Sequence, residues 1–120
     1  MILVDTSVWI DHLRNRNARL ATLLEAGEVV IHPYVIGEIA CGNLKNRKEI
    51  IALLHALPGT RKADDDEVLF FIERHQLNGK GIGLIDVHLL TSCFMDDCRL
   101  WTADKRLCAI AEELNVVHAH

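Results

Sequence analysis

The chain has 120 residues, 50% of them hydrophobic, enough for one core and too few for a second. Its 13 Lys and Arg against 17 Asp and Glu leave a formal charge of -4, which argues against holding nucleic acid by counter-charge alone. A nuclease whose divalent metal brings positive charge to the phosphate stays open. No apolar run approaches membrane-spanning length, no basic leader precedes the first acid, and Cys41, Cys93, Cys98 and Cys108 lack C-x-x-C spacing. The expectation is a cytoplasmic protein with reduced core thiols and no membrane contact.

Ile2-Leu3-Val4 reads as a strand buried on both faces, because no polar residue alternates with its apolar ones. Asp5 follows at the carboxyl end, where open α/β sheets place their chemistry. Val8 to Arg14 is a short helix capped by Thr6 or Ser7. Asn17 to Ala26 is a second helix stopped by Gly27, and Glu28 to His32 a second strand. Pro33 suits the first position of a helix that continues through Glu38 to Cys41. Lys45 to Ala56 is an amphipathic helix, and Leu57 to Thr60 a turn with an edge strand somewhere in residues 57–62. Asp64 to Gln76 is a helix with an acidic first turn, ended by Asn78-Gly79. Gly79, Gly81 and Gly83 mark a mobile loop before the most apolar helix, Leu84 to Met95. Arg99 to Thr102 is a strand, Lys105 to Leu114 a helix, and Asn115 to His118 a last short strand. Strands alternating with helices predict an α/β fold of three layers with a parallel sheet.

Three acids fall on helix stripes that should be apolar. Asp86 shares a face with Leu89, Leu90 and Cys93, and Asp104 with Leu107, Cys108 and Ala111. Glu38 lies between Tyr34 and Val35 on one side and Cys41 on the other. Capping explains Asp86 and Asp104 taken singly, but Glu38 lies a full turn inside its helix. The contiguous Asp64-Asp65-Asp66 reads instead as a solvated, dipole-matched helix start, and Asp11 as equally ordinary. If the first strand is central, Asp5, Glu38, Asp86 and Asp104 converge on one crevice. Two carboxylates about 5 Å apart repel by roughly 3 kcal/mol at an effective dielectric near 20. Four would need a cation, and oxygen-only ligation suits Mg²⁺ or Mn²⁺ over zinc. The chemistry implied is metal-assisted attack of water on a phosphodiester.

Four segments carry a family resemblance: V-D-T-S at Val4–Ser7, H-P-Y-V-I-G-E-I at His32–Ile39, G-I-G-L-I-D-V-H-L-L at Gly81–Leu90 and W-T-A-D-K-R-L at Trp101–Leu107. In this order and spacing the chain resembles PIN-domain ribonucleases, specifically the VapC-type toxins of toxin–antitoxin pairs. The resemblance implies a single PIN domain over residues 1–120, a three-layer α/β/α fold, and a parallel sheet of strand order 3-2-1-4-5. It implies a catalytic, metal-binding quartet of Asp5, Glu38, Asp86 and Asp104, holding Mg²⁺ or Mn²⁺ for endonucleolytic RNA cleavage. Thr102 matches the hydroxyl two positions before the last acid, and Thr6 a polar position beside the first. A homodimer, a hetero-oligomer with an inhibiting antitoxin, and an RNA substrate such as tRNA are further implications.

Lys105 and Arg106, beside Asp104, are the best-placed contacts for RNA phosphates. Arg14, Arg16 and Arg19, and Lys45, Arg47 and Lys48, read more simply as solvated helix faces. Trp9 and Trp101 could stack a base but suit burial better. His88 reads as structural, and His118 and His120 as a loose tail. A phosphoryl-accepting receiver domain would want paired acids after one strand, and Asp5 stands alone. An aspartyl-nucleophile phosphatase would want D-x-D, and residue 7 is Ser. The remaining rival is a PIN-like module that only binds RNA or protein, and such a module has no reason to keep four mutually repelling acids.

Overall fold

The computed structural model describes residues 1–119, and its sheet is built outward from the first strand. Strand β1 (Ile2–Val4) pairs in parallel with β2 (Val29–Val30) on one side and β3 (Arg99–Trp101) on the other, giving the order β2-β1-β3. The register sets Leu3 opposite both Val30 and Leu100, and Val4 opposite Trp101. Leu3, Val4 and Leu100 are wholly buried, as an uninterrupted apolar strand in the middle of a parallel sheet must be.

The outer two of the five expected strands shrink to single parallel bridges. Ile31 pairs with Gly59, donating to Pro58 O at 2.9 Å and accepting from Thr60 N at 2.9 Å. Leu100 pairs with Val117 in the same way, between Val116 O and the His118 N–H. The spatial order 3-2-1-4-5 is kept, with three strands and two bridges in place of five strands. Pro58 lacks an N–H, so the segment at 57–62 cannot extend its ladder. His118 is not loose: its N–H donates to Leu100 O at 2.8 Å and its ring lies 5.5 Å from that of Trp101. His120 lies outside the described residues.

Helices α1 (Thr6–Asn15), α2 (Ala18–Glu25), α3 (Pro33–Ala40) and α4 (Arg47–Ala56) occupy the first half of the chain, with α1 packed on α3 and α3 on α4. Helices α5 (Asp65–His75), α6 (Leu84–Asp96) and α7 (Lys105–Glu113) follow, α5 against α6, and α6 and α7 against β3. Residues Val87 to Cys93 of α6 are buried without interruption, the mark of a central helix. Asn17 caps α2 by accepting from Leu20 N, and Asp64 and Glu67 form a reciprocal capping box on α5. Arg47, one of the basic residues near α4's start, donates to the Ala40 and Gly42 carbonyls and so terminates α3. It is thereby committed to structure. Cys93 and Cys98 are buried free thiols, whereas Cys41 is exposed and so is no part of the core. No helix among the described residues is long and apolar enough to cross a membrane.

Candidate active site

The tip of β1 delivers Asp5 into a small network of hydroxyls. Its own N–H donates to Trp101 O at 2.9 Å, which ties the end of β1 to the end of β3. Asp5, not Thr6 or Ser7, is the N-cap of α1: its Oδ1 accepts from Thr6 N at 2.7 Å. Its Oδ2 accepts from Thr102 Oγ1 at 2.7 Å and from Ser7 Oγ at 2.9 Å. Three donors on one buried carboxylate fix its orientation.

Thr102 and Ser7 join this carboxylate to the start of α7. Thr102 Oγ1 accepts from Asp104 N at 3.0 Å, and Ser7 Oγ accepts from Ala103 N at 3.0 Å. Asp104 caps α7, its Oδ1 accepting from Arg106 N at 2.9 Å and Leu107 N at 3.1 Å. Capping engages one carboxylate oxygen of Asp104, so the cap alone does not use the whole group. On the far side of Asp5, Thr6 Oγ1 donates to Glu38 Oε1 at 2.7 Å. Glu38 and Asp104 are exposed and Asp86 is half-buried, so the apolar stripes place these acids at the rim of the core and not within it.

Asp86 stands in the first turn of α6, where Gly83 N donates to its Oδ2 at 3.3 Å. Its pKa is raised. Burial is the largest cause; the Gly83 hydrogen bond opposes it, and the negative charges of Asp5, Asp104 and Glu38 push it further up. Asp5, Asp104 and Glu38 are thus all near enough to act on Asp86 at the carboxyl edge of the sheet. Lys105 and Arg106 are exposed beside Asp104. Trp9 and Trp101 are buried, which removes them as stacking platforms for a base.

Ser7 is the participant that sequence reasoning passed over, treating it as a helix cap. The usable signal was its place two residues after an acid, where a short hydroxyl can bond back to the carboxylate.

The donor set is hard and oxygen-only, which fits Mg²⁺ or Mn²⁺ and not a thiolate- or imidazole-seeking metal. Among the described residues no three His, Cys, Asp or Glu side chains stand close enough to grip one ion together. That spacing suits an ion that keeps much of its water and takes one or two carboxylates directly.

A parallel sheet centred on β1, with acids from four segments gathered at its carboxyl edge, is the architecture of a PIN domain, and the PIN domain family model matches residues 2–113. The chain belongs to the PIN-domain family. Two curated relatives, each named Ribonuclease VapC32, come from Mycobacterium tuberculosis strains CDC 1551 / Oshkosh and ATCC 25618 / H37Rv. Both are 47% identical over 120 residues, spanning 99% of this chain and 97% of their own. The crystal structure of PAE2754 from Pyrobaculum aerophilum superposes with a TM-score of 0.65 over 94% of this chain and 90% of that one. At 16% identity that likeness concerns the fold alone.

Proposed function

We propose that this chain is a VapC-type toxin, a metal-dependent endoribonuclease held in check by a cognate antitoxin. The observation that carries the reading is the Asp5 carboxylate, fixed by Thr6, Ser7 and Thr102 within a crevice where burial, and then the charges of Asp5 itself, Asp104 and Glu38, raise the pKa of Asp86. The relatives named Ribonuclease VapC32 support it. A module that only binds RNA or protein is not favoured, since it gains nothing from this electrostatic cost.

Asp5, Glu38, Asp86 and Asp104 would hold Mg²⁺ or Mn²⁺, which when bound polarises the phosphate and lowers the pKa of an attacking water. The chain's own part is positional. Thr102 and Ser7 keep the Asp5 carboxylate aimed, and Thr6 holds Glu38 against the end of β1. Asp104 keeps one oxygen, Oδ1, on the α7 cap, which leaves Oδ2 for the ion. Asp86, with its raised pKa, is the acid whose ionisation depends most on a cation nearby.

We read the chain as one cytoplasmic PIN domain that acts as a homodimer and a hetero-oligomer with its antitoxin. The exposed Leu69, Phe70 and Phe94 support association, and light scattering would report it. tRNA is the first RNA to test. Purified, antitoxin-free protein is incubated with an RNA pool containing tRNA, with Mg²⁺, with chelator, and with Asp5→Asn in parallel. Discrete fragments that require metal and vanish in Asp5→Asn are expected. A folded wild type that cuts nothing, or a mutant that cuts equally well, overturns the reading.

A further inference from the structure

Gly81 lies in the loop between α5 and α6 with φ +79°, a conformation that disfavours any L side chain. It is also covered. A β-carbon at Gly81 would stand 2.6 Å from Nη1 of Arg106, 3.2 Å from its Cδ and 3.3 Å from its Cζ. The guanidinium and the end of its stem therefore lie along bare backbone that only glycine leaves open.

This contact joins two acid-bearing segments. Arg106 belongs to the first turn of α7, where its main-chain N–H donates to Asp104 Oδ1. The Gly81 loop continues to Gly83, whose N–H holds Asp86. The cation thus spans the Asp104 and Asp86 sides of the crevice. Yet it pairs with neither acid: among the described residues the one ion pair is Arg61–Asp96, and the Arg106 guanidinium makes no hydrogen bond. Arg47 and Arg61, by contrast, spend their guanidinium groups on carbonyls and a carboxylate of the chain itself.

We propose that Arg106, seated on Gly81, takes a phosphate of the RNA backbone at the acid crevice, with Gly81 as the residue that positions it. This rests on the ribonuclease reading and adds to it. A chain of net charge -4 with four acids at its site repels a polyanion, so one fixed, uncommitted cation beside those acids has a large effect on where the strand lies. A planar guanidinium matches two phosphate oxygens, and a stem already laid on the backbone loses less freedom on binding. The same contact singles out Arg106 over its neighbour Lys105.

The test is fluorescence anisotropy of a labelled single-stranded RNA over a salt series, in chelator so that no cleavage occurs, with steady-state cleavage in Mg²⁺ alongside. Arg106→Gln is expected to weaken binding about tenfold, as loss of a charged hydrogen bond does. It should flatten the log–log salt slope by about 0.7, the value for one phosphate contact on a single strand. In cleavage it should raise KM with little change in kcat. Arg106→Lys should restore the slope but not the full affinity. Gly81→Ala should follow Arg106→Gln, with thermal unfolding verifying that the domain stays folded. Lys48→Gln, an exposed charge at the start of α4, serves as the control and should change neither.

If wild type binds and cuts RNA while Arg106→Gln keeps its affinity and salt slope, the arginine only packs the loop and the proposal is overturned. It is equally overturned if Arg106→Gln loses activity through kcat and melting temperature alone. A wild type that neither binds nor cuts RNA overturns the ribonuclease reading itself, and this one with it.

Discussion

Thr102 donates its hydroxyl hydrogen to Asp5 Oδ2 at 2.7 Å, although the two residues follow different strands, β3 and β1, and lie 97 positions apart in the chain. Thr102 Oγ1 in turn accepts from Asp104 N at 3.0 Å, so one buried hydroxyl sets both the first acid and the last. Thr102→Val keeps the shape and removes both bonds, leaving the Asp104 N–H unsatisfied and Asp5 Oδ2 with Ser7 Oγ as its one remaining donor. A loss of about 1–3 kcal/mol in urea unfolding is expected. Cleavage should fall by about 100-fold, because a small misplacement of a catalytic group is expensive. Thr102→Ser retains donor and acceptor and should recover most of the activity.

Asp104 offers a cleaner separation of fold from chemistry. Asn caps a helix about as well as Asp, so Asp104→Asn keeps an acceptor for the Arg106 and Leu107 N–H groups while deleting one of the charges that raise Asp86. The metal-free mutant is expected to melt no lower than wild type, and its cleavage to fall at least 100-fold. A mutant that cuts normally would place Asp104 in the cap alone. Stability gained where activity is lost is the signature of a strained functional cluster.

Metal affinity should be visible without any turnover. A ligand that binds only the folded state at about 100 times its Kd stabilises by about 2.7 kcal/mol. Saturating Mn²⁺ should therefore raise the wild-type melting temperature by several degrees, and Asp5→Asn or Asp86→Asn should blunt the rise. Chelator should reverse it with no change in far-ultraviolet circular dichroism. An equal rise in wild type and both mutants would place the ion elsewhere.

The sheet's centre was legible because Ile2-Leu3-Val4 is apolar without alternation, which only a strand buried on both faces tolerates. Glu38, Asp86 and Asp104 stood out because they interrupt patterns that otherwise obey helical period, and Asp5 because it ends the apolar first strand. The outer strands were placed, within 57–62 and at Asn115–His118, but their reduction to single bridges at Gly59 and Val117 was not legible, since one residue has no period to read. Nor was the capping role of Asp5, because D-T-S offers three adjacent cap formers and only the backbone decides which lies one step before the helix. The seat of Arg106 on Gly81 is invisible for a different reason: it joins residues 25 apart through a loop whose path no pattern encodes.

His32 makes the fold sensitive to acid. Its ring is buried at the N-cap of α3, with Nδ1 accepting from Tyr34 N at 3.0 Å. That bond requires the neutral ring with its proton on Nε2, which has no partner of its own. Burial, then the nearby His88 and Lys62, push the pKa from 6.5 down to about 4. Because the folded value lies below the unfolded one, the unfolded chain binds the proton first as pH falls. The contribution of His32 is complete above pH 6.5 and declines toward pH 4, at about 1.4 kcal/mol per pH unit once both values are well separated from the working pH. Urea unfolding of wild type across this window should show that slope, and His32→Asn, which can still cap α3 but cannot titrate, should flatten it. An unchanged slope in the mutant would assign the acid sensitivity to other groups. Protonation would also turn Nδ1 into a second donor facing the Tyr34 N–H, so the first element to loosen should be the start of α3, the helix that carries Glu38. Hydrogen exchange at the Tyr34 and Val35 amides, measured at falling pH and corrected for intrinsic rates, should accelerate before the amides of β1 do.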